Sequence, residues 1–241
     1  MSNYFGKAAL LAATGLAVSV MAPTSASAAT FLFSGGNNSD GTVGNVRTFT
    51  GSDGTKVEVT AYATDGSNLS AGAVGWYSPG LGTLNGPNDN SHTVDNSGLV
   101  DILVFQFDKV VTVDKVGLVE FGDTDINYDI GSTNVAFNST LTFANLTAFT
   151  NAFGAINTSI LSNGNGTSGD RDINPSNLSG NLFYVAAAFS NSGSNDSFKV
   201  NGITFTAAPP VPEPATWAMM IGGLGLVGMS MRRRKTAVSF A

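Results

Sequence analysis

The sequence contains no cysteine and a single histidine, His92. Without cysteine, no disulfide can hold the chain together, and no thiolate can act as a nucleophile or bind zinc. With one histidine and no Gly-x-Ser-x-Gly motif, a serine nucleophile activated by histidine has little support. Glutamate is also scarce, since only Glu58 and Glu120 lie between residues 29 and 208, which weakens the case for a glycosidase pair. We therefore expect no enzyme activity and assign no catalytic residue.

Positive charge is scarce in the same region. Residues 29–208 carry six Lys and Arg against sixteen Asp and Glu, a net charge of −10. Proteins that bind nucleic acid present a basic surface, so nucleic acid is excluded as a partner. An acidic surface of this kind is compatible with divalent cations, which prefer oxygen ligands.

The first 28 residues have the pattern of a secretory signal peptide. Lys7 precedes an apolar segment from Ala8 to Met21, and the small residues Ala26-Ser27-Ala28 follow. We expect export through the Sec translocon and cleavage by signal peptidase after Ala28. The mature protein would then lie outside the cytoplasm.

The other end of the chain contains an uncharged apolar segment followed by cations. Residues 215–231 carry no charge over 17 positions, and Arg232, Arg233, Arg234 and Lys235 come directly after them. As a helix this segment would be roughly 26 Å long, the short limit for crossing a bilayer. The sequence therefore predicts a transmembrane helix over 215–231, with Trp217 at one interface and the cations in the cytoplasm.

A short motif precedes that segment. Pro212-Glu213-Pro214, the stretch Trp217-Ala218-Met219-Met220-Ile221 and the basic end together resemble the PEP-CTERM sorting tail of exported proteins from Gram-negative bacteria. This resemblance implies an exosortase as partner, a membrane-embedded cysteine transpeptidase that cuts near the Pro-Glu-Pro. It also implies a transient stay at the inner membrane, followed by a place on the cell surface or outside the cell. The sorting residues implied are Pro212, Glu213, Pro214, Trp217, Arg232, Arg233 and Arg234.

Between the two ends, residues 29–208 are enough for one domain with its own core, and residues 209–241 form the tail with its Pro-rich linker. Apolar and polar residues alternate in "KVEVTAYA" (56–63), and "DILVFQFD" (101–108) and "VGLVEF" (116–121) are short apolar runs. Similar segments recur at "TFLFS", "NVRTFT", "LFYVAAAF" and "FKVNGITFTA". One helix is predicted around Leu146–Ile156, with Asn145 as its cap. This pattern predicts an all-β domain, an antiparallel β-sandwich of jelly-roll type.

Acidic residues are concentrated between positions 80 and 130. This stretch resembles a module of exosortase-dependent surface proteins, through Gly80-Leu81-Gly82, His92-Thr93-Val94-Asp95-Asn96, the strand from Asp101 and Gly122-Asp123-Thr124-Asp125-Ile126. Carboxylates gathered on one side of a strand repel each other unless a cation lies among them, and calcium accepts Asp and Asn oxygens. A calcium site is therefore predicted, with ordinary solvated acids as the alternative. Its ligands would be Asp95, Asn96, Asp101, Asp123 and Asp125.

Two functions remain open for the domain. The first is a non-enzymatic protein of the cell surface or extracellular matrix. The alternative is a carbohydrate-binding module that acts on exopolysaccharide, because jelly-roll sandwiches often stack sugars on exposed aromatic rings. Trp76 and Tyr77 are the candidate stacking residues, with Tyr62 and Tyr184 as further candidates.

Overall fold

The computed structural model describes residues 26–87, 89–153, 161–163, 168–174, 176–189, 195–207 and 214–232. The predicted signal peptide lies almost entirely outside these residues. In chain order the strands are β1 (Ala28–Leu32), β2 (Arg47–Thr50), β3 (Lys56–Thr64), β4 (Leu69–Ala71), β5 (Ala73–Tyr77), β6 (Gly80–Leu84), β7 (Val94–Asp95), β8 (Val100–Glu120), β9 (Thr124–Gly131), β10 (Leu161–Asn163), β11 (Gly169–Asp172), β12 (Ser179–Ala187) and β13 (Ser197–Ala207). The helices are α1 (Leu146–Ala152) and α2 (Pro214–Arg232).

All thirteen strands of the described residues belong to one sheet. The main path runs β10-β9-β12-β8-β13-β6-β5; β1 and β7 also pair with β13, and β11 with β8. Strand β3 also pairs with β8, and β2 and β4 both pair with β3. The pairings between these strands are antiparallel. The predicted class is confirmed at this level: the domain is predominantly β and antiparallel.

Strand β8 organises the sheet because it pairs with different strands along its length. Its first part, Val100 to Phe107, lies beside β3, whereas Val111 to Glu120 lies beside β13. Between these parts, Asp108, Lys109 and Val110 are exposed. The sequence predicted two separate strands here, and that was wrong. The intervening Val111 and Val113 are buried and continue the inward alternation, so one strand extends through the whole segment.

The larger core lies against one face of the sheet and is rich in phenylalanine. The rings of Phe31 and Phe205 stack with centroids 4.7 Å apart, and Phe33 contacts Phe105 at 5.7 Å. These side chains come from β8, β13 and the segment that begins at β1, so residues distant in sequence share one core. Aromatic pairs in such arrangements add to the stabilisation that burial gives.

A smaller core covers the opposite face of the β3, β8 and β12 strands. Ile102 and Val104 point into it from β8, because neighbouring residues of a strand face opposite sides. Helix α1 closes this core with the fully buried Phe149. The Asn145 side chain accepts a 2.8 Å hydrogen bond from the Ala148 backbone amide, so the predicted cap is confirmed. The helix ends at Ala152, and residues 154–160 lie outside the described part.

Strands β9 and β13 begin, and β7 ends, at the same end of the sheet, and this end carries the candidate sites. Ser197 of β13 pairs with Asp95 of β7, and its backbone amide donates to the carbonyl of Asp123, just before β9. An isolated bridge joins Asp123 to Asp196. Residues near positions 95, 123 and 196 therefore lie together although they are far apart in sequence.

Candidate functional site

The predicted calcium ligands form two groups in the structure. Asp123 and Asp125 lie with Asp196, and one carboxylate oxygen from each of these three residues is within 4.8 Å of the others. Asp95 and Asp101 lie in a second group. Asn96 connects the two, because its side-chain amide donates to Asp196 at 2.6 Å while it directly follows Asp95.

Asp196 is the buried member of the first group, with 2 % of its surface exposed. One of its oxygens accepts from the backbone amide of Asp125 at 2.7 Å, and the other accepts from Asn96. Burial is the largest effect on its carboxyl group and raises its pKa, and the Asp125 and Asp123 charges raise it further. The group therefore places negative charge where solvent stabilises it poorly.

Asp125 has one oxygen that no described residue satisfies. Its Oδ1 atom is buried and has no hydrogen-bond partner among the described residues. A buried carboxylate oxygen without a donor is unfavourable by about 1–3 kcal/mol or more. A cation held by the three carboxylates would remove this penalty, and the donor set of carboxylate oxygens fits calcium.

The second group is built around Asp95 and Asp101, which are 4 % and 0 % exposed. The side-chain amide of Asn85 donates to Asp101 at 3.0 Å. Asp95 accepts from the Thr93 hydroxyl at 3.0 Å, from the Ser97 backbone amide at 3.0 Å and from the Ser91 hydroxyl. Protein donors therefore already satisfy much of the Asp95 carboxylate.

Asp101 holds a proton up to near-neutral pH. Burial raises the pKa of its carboxyl group to about 8, and the charges of Asp95 and Asp89 act in the same direction, against the hydrogen bond from Asn85. A protonated carboxyl is a poor calcium ligand, since metal ligands bind in their deprotonated form. The proton on Asp101, together with the Asp125 Oδ1 atom that has no partner among the described residues, favours the group of Asp123, Asp125 and Asp196 for a cation.

An open cavity of about 460 Å³ lies next to the second group. Among the described residues, its lining carries two carboxylates and no Lys or Arg. Asp89, which the sequence analysis did not single out, holds the loop by accepting from the Asn85 backbone amide at 3.0 Å and from the Ser91 hydroxyl at 2.8 Å. The lining residues are Asn85, Gly86, Pro87, Asp89, Asn90, Ser91, Asp95 and Ser97.

Lys199 is a buried cation next to these acids, only 5 % exposed. Its ammonium group donates to the backbone carbonyl of His92 and lies 4.1 Å from the centroid of the Tyr77 ring. Burial lowers its pKa to about 8, while Asp89, Asp40 and Asp95 act to raise it. Lys199 therefore offsets part of the negative charge at this end of the sheet.

The predicted sugar-stacking residues do not present open ring faces. Trp76 packs edge-on against Phe49 at 5.4 Å and donates its indole N–H to the Phe33 carbonyl at 2.7 Å. Tyr77 is 7 % exposed and donates to Asp40 at 2.8 Å. Tyr62 and Tyr184 are buried as well. A carbohydrate site on the three tyrosine rings would need their side chains to move out of the protein interior, whereas Trp76 is partly buried.

The C-terminal segment forms helix α2, and its side chains from Trp217 to Arg232 are exposed. No helix within the described residues is long and apolar enough to cross a membrane. The predicted transmembrane span over 215–231 is therefore not confirmed. Four of its residues, at 222, 223, 225 and 228, are glycines, which contribute little apolar surface. Pro212, Glu213, Arg233 and Arg234 lie outside the described residues.

Comparison with known families addresses the same segment. A family model described as the PEP-CTERM protein-sorting motif matches residues 210–235. The chain carries a PEP-CTERM sorting motif. The motif implies an exported protein directed to the cell surface, with an exosortase as its processing partner. No curated protein and no solved structure matches the chain, so the β domain gains no function from relatives.

Three residues of these sites were not anticipated from sequence. Asp196 directly precedes β13, as Asp123 precedes β9, and acidic residues just before a strand are the signal that would have suggested it. Asp89 lies in a turn rich in Gly, Pro and Asn, where an Asp is expected for local reasons alone. Lys199 occurs within an apolar strand, and such a cation requires partners if it is buried.

Proposed function

We propose that this chain is a non-enzymatic exported protein of the cell surface or extracellular matrix, whose tail an exosortase removes. The observation that carries the proposal is the sorting motif at residues 210–235. Export through the Sec translocon and cleavage by signal peptidase would precede this step. In this proposal the folded domain is a jelly-roll-like sandwich of about 180 residues, and the tail serves for delivery.

The arrangement of the core supports a tail that can be removed. Both clusters of buried residues are formed by residues between Ala29 and Ala207. The described side chains of α2 are exposed and belong to neither cluster. Cleavage near Pro212 would therefore leave the core of the domain intact.

Helix α2 gives the precursor an apolar surface with a cation at its end. Met219, Leu224 and Leu226 are at least 68 % exposed, and Arg232 ends the helix. Exposing apolar surface to water is unfavourable by about 25 cal/mol for each Å² of that surface. We infer that this helix keeps the precursor at the inner membrane until the exosortase acts, and that the released domain then meets exopolysaccharide outside.

The role of the tail can be tested with the variant Glu213→Ala. We expect this variant to keep its tail and to accumulate in the inner-membrane fraction, whereas the natural chain reaches the surface or the medium. Glu58→Ala is the matched control, because it removes a carboxylate from strand β3 and leaves the motif unchanged. Equal distribution of Glu213→Ala and the natural chain would contradict a sorting role for Glu213.

We also propose a calcium site at Asp123, Asp125 and Asp196. Support comes from three carboxylates with oxygens within 4.8 Å and from the buried Asp125 Oδ1, which has no partner among the described residues. Asn96 also holds Asp196 in place, because its side-chain oxygen accepts a 2.9 Å hydrogen bond from the Asp196 backbone amide. The site would therefore tie β7, β9 and β13 together at one end of the sheet.

Calcium bound only to the folded state must raise its stability. A site filled at a hundred times its dissociation constant adds about 2.7 kcal/mol, which corresponds to roughly 5–11 °C in melting temperature for a domain of this size. We expect millimolar calcium to raise the melting temperature by several degrees, and magnesium to do so less because it dehydrates reluctantly. Asp123→Asn with Asp125→Asn should abolish the difference. Identical melting curves in calcium and in chelator would refute the site.

A further inference from the structure

The cavity beside Asp89 and Asp95 has the size of a ligand site. Its volume of about 460 Å³ lies within the range of about 300–1,000 Å³ that is usual for small-molecule sites. It would hold roughly fifteen waters at about 30 Å³ each, so a bare cation would leave most of it filled with solvent. The space therefore fits an organic molecule of several heavy atoms.

The lining selects the chemistry of that molecule. Apart from Pro87 and Gly86, the cavity is lined by carboxylates, amides and hydroxyls. The lining offers both polar and apolar surface, so a wholly apolar ligand would leave the polar groups of the lining without partners. An anionic ligand would meet the carboxylates of Asp89 and Asp95, and no Lys or Arg stands among the described lining residues, so like-charge repulsion disfavours it. A neutral molecule rich in hydroxyl groups fits both conditions.

The carboxylates can accept further hydrogen bonds. A carboxylate offers about four acceptor positions. The Asp89 oxygens accept from two backbone amides, those of Asn85 and Ser91, and lie within hydrogen-bonding distance of the Ser91 hydroxyl. That same hydroxyl also lies beside Asp95, yet it has only one hydrogen to donate. The two carboxylates therefore retain acceptor capacity that hydroxyl groups of a ligand can fill.

The floor and the rim of the cavity differ in exposure. Asp95 is 4 % exposed and its position is fixed by Thr93 and Ser97, so one acceptor is held in place before a ligand arrives. Asn90 and Ser97 are exposed at the rim. A fixed acceptor below and adaptable polar groups above give orientation to a ligand without large ordering costs.

We propose that this cavity binds a neutral sugar unit through Asp89 and Asp95. The site differs from the aromatic residues predicted from sequence, since none of those rings lines it. It gives a location to the carbohydrate-binding alternative. It does not depend on the sorting motif or on the calcium site, so either can fail without affecting it.

The test is a binding titration with the full-length chain, kept in a mild detergent that has no sugar headgroup. The probes are neutral hexose di- to tetrasaccharides, matched oligosaccharides of uronic acids, and calcium chloride alone, measured by saturation-transfer NMR and calorimetry. We expect saturable binding of at least one neutral oligosaccharide and none of the uronic acids.

Two variants examine the site itself. Asp89→Asn should weaken the binding of the neutral oligosaccharide at least tenfold, because it removes a charged acceptor and keeps the side-chain shape. Ser97→Trp should abolish binding by filling the opening from an exposed position, where folding is not at risk. Asp108→Asn is the control, since Asp108 is exposed and lies seven residues along β8 from Asp101.

Three results would overturn the proposal. The first is no binding of any neutral oligosaccharide to the folded chain. The second is binding that both Asp89→Asn and Ser97→Trp leave unchanged. The third is a response to calcium alone in the cavity residues. Since the tail stays attached in every measurement, none of these results bears on exosortase processing.

Discussion

Asp101 should make the stability of the domain depend on pH in a direction opposite to that of most carboxylates. Its carboxyl group is fully buried and accepts hydrogen bonds from the Asn85 side chain and, at 3.4 Å, from the Asp95 backbone amide. Burial, together with Asp95 and Asp89, raises its pKa from 3.8 to about 8. In the unfolded chain the same group would titrate near its ordinary value. The perturbation that isolates this effect is Asp101→Asn, which keeps the size of the side chain and removes its titration.

The sign follows from proton counting. Between pH 4 and 8 the folded chain holds one more proton at Asp101 than the unfolded chain, so the free energy of unfolding falls as pH rises. This contribution is fully present below pH 4 and is lost as pH rises through about 8. One proton corresponds to about 1.4 kcal/mol for each pH unit. From pH 5 to pH 7 the loss is therefore about 2.7 kcal/mol, or roughly 5–11 °C in melting temperature for about 180 residues.

The assay is thermal unfolding of the natural chain and of Asp101→Asn at pH 5, 6 and 7 in the presence of chelator. The quantity compared is the slope of melting temperature against pH, because other carboxyls with raised pKa, such as Asp129 and Asp196, contribute to both proteins. We expect the natural chain to lose several degrees more than the variant, and the exposed control Asp108→Asn to follow the natural chain. Equal slopes for the natural chain and Asp101→Asn would refute the reasoning.

Three further substitutions test the packing of the fold by chemical denaturation. Gly82→Ala should destabilise the domain by about 2 kcal/mol or more, because a β-carbon there would lie 2.0 Å from the backbone oxygen of His92. Gly86→Ala is the control and should be nearly neutral, because its β-carbon would meet nothing within 4 Å. Arg171→Met should lower the free energy of unfolding by about 3–5 kcal/mol, because it removes the cation that faces the buried side chain of Glu120. Adding Glu120→Leu should restore most of this stability, and no recovery would contradict the pairing. Phe149→Ala should cost about 3–5 kcal/mol because that ring is fully buried, and a loss below 1 kcal/mol would show that α1 does not close the smaller core.

Patterns among neighbouring residues of the sequence predicted several elements of the fold. The alternation in residues 56–63 identified β3, and Asn145 before a helical segment located the start of α1. Both features depend on neighbours in sequence. The continuity of β8 through Lys109 to Lys115 was missed, because the polar residues of this segment resemble a turn until β12 and β13 are placed beside it. Strand pairing of this kind depends on residues far along the chain.

In the candidate sites, too, residues close in sequence were predicted and residues that come from distant segments were not. Asp123 and Asp125 were predicted from their spacing, and the structure places both in one group. Asp196 was not predicted, since it lies about seventy residues further along and meets them through its bridge to Asp123 and the hydrogen bond from the Asp125 amide. Trp76 and Tyr77 had the right chemistry for a sugar site, yet sequence alone does not reveal that Tyr77 is buried and that Trp76 packs against Phe49. Distance in sequence and burial are the two properties that the pattern could not supply.

The most direct test of the exported role is the intact mass of the mature protein recovered from the cell surface and from the medium. The account predicts a chain that begins near Ala29 and lacks everything beyond the Pro212-Glu213-Pro214 region. Such a mass would show that both ends are removed while the domain of residues 29–208 is retained. Recovery of most of the surface pool with its C-terminus intact, through Arg232 to Ala241, would contradict processing of the tail.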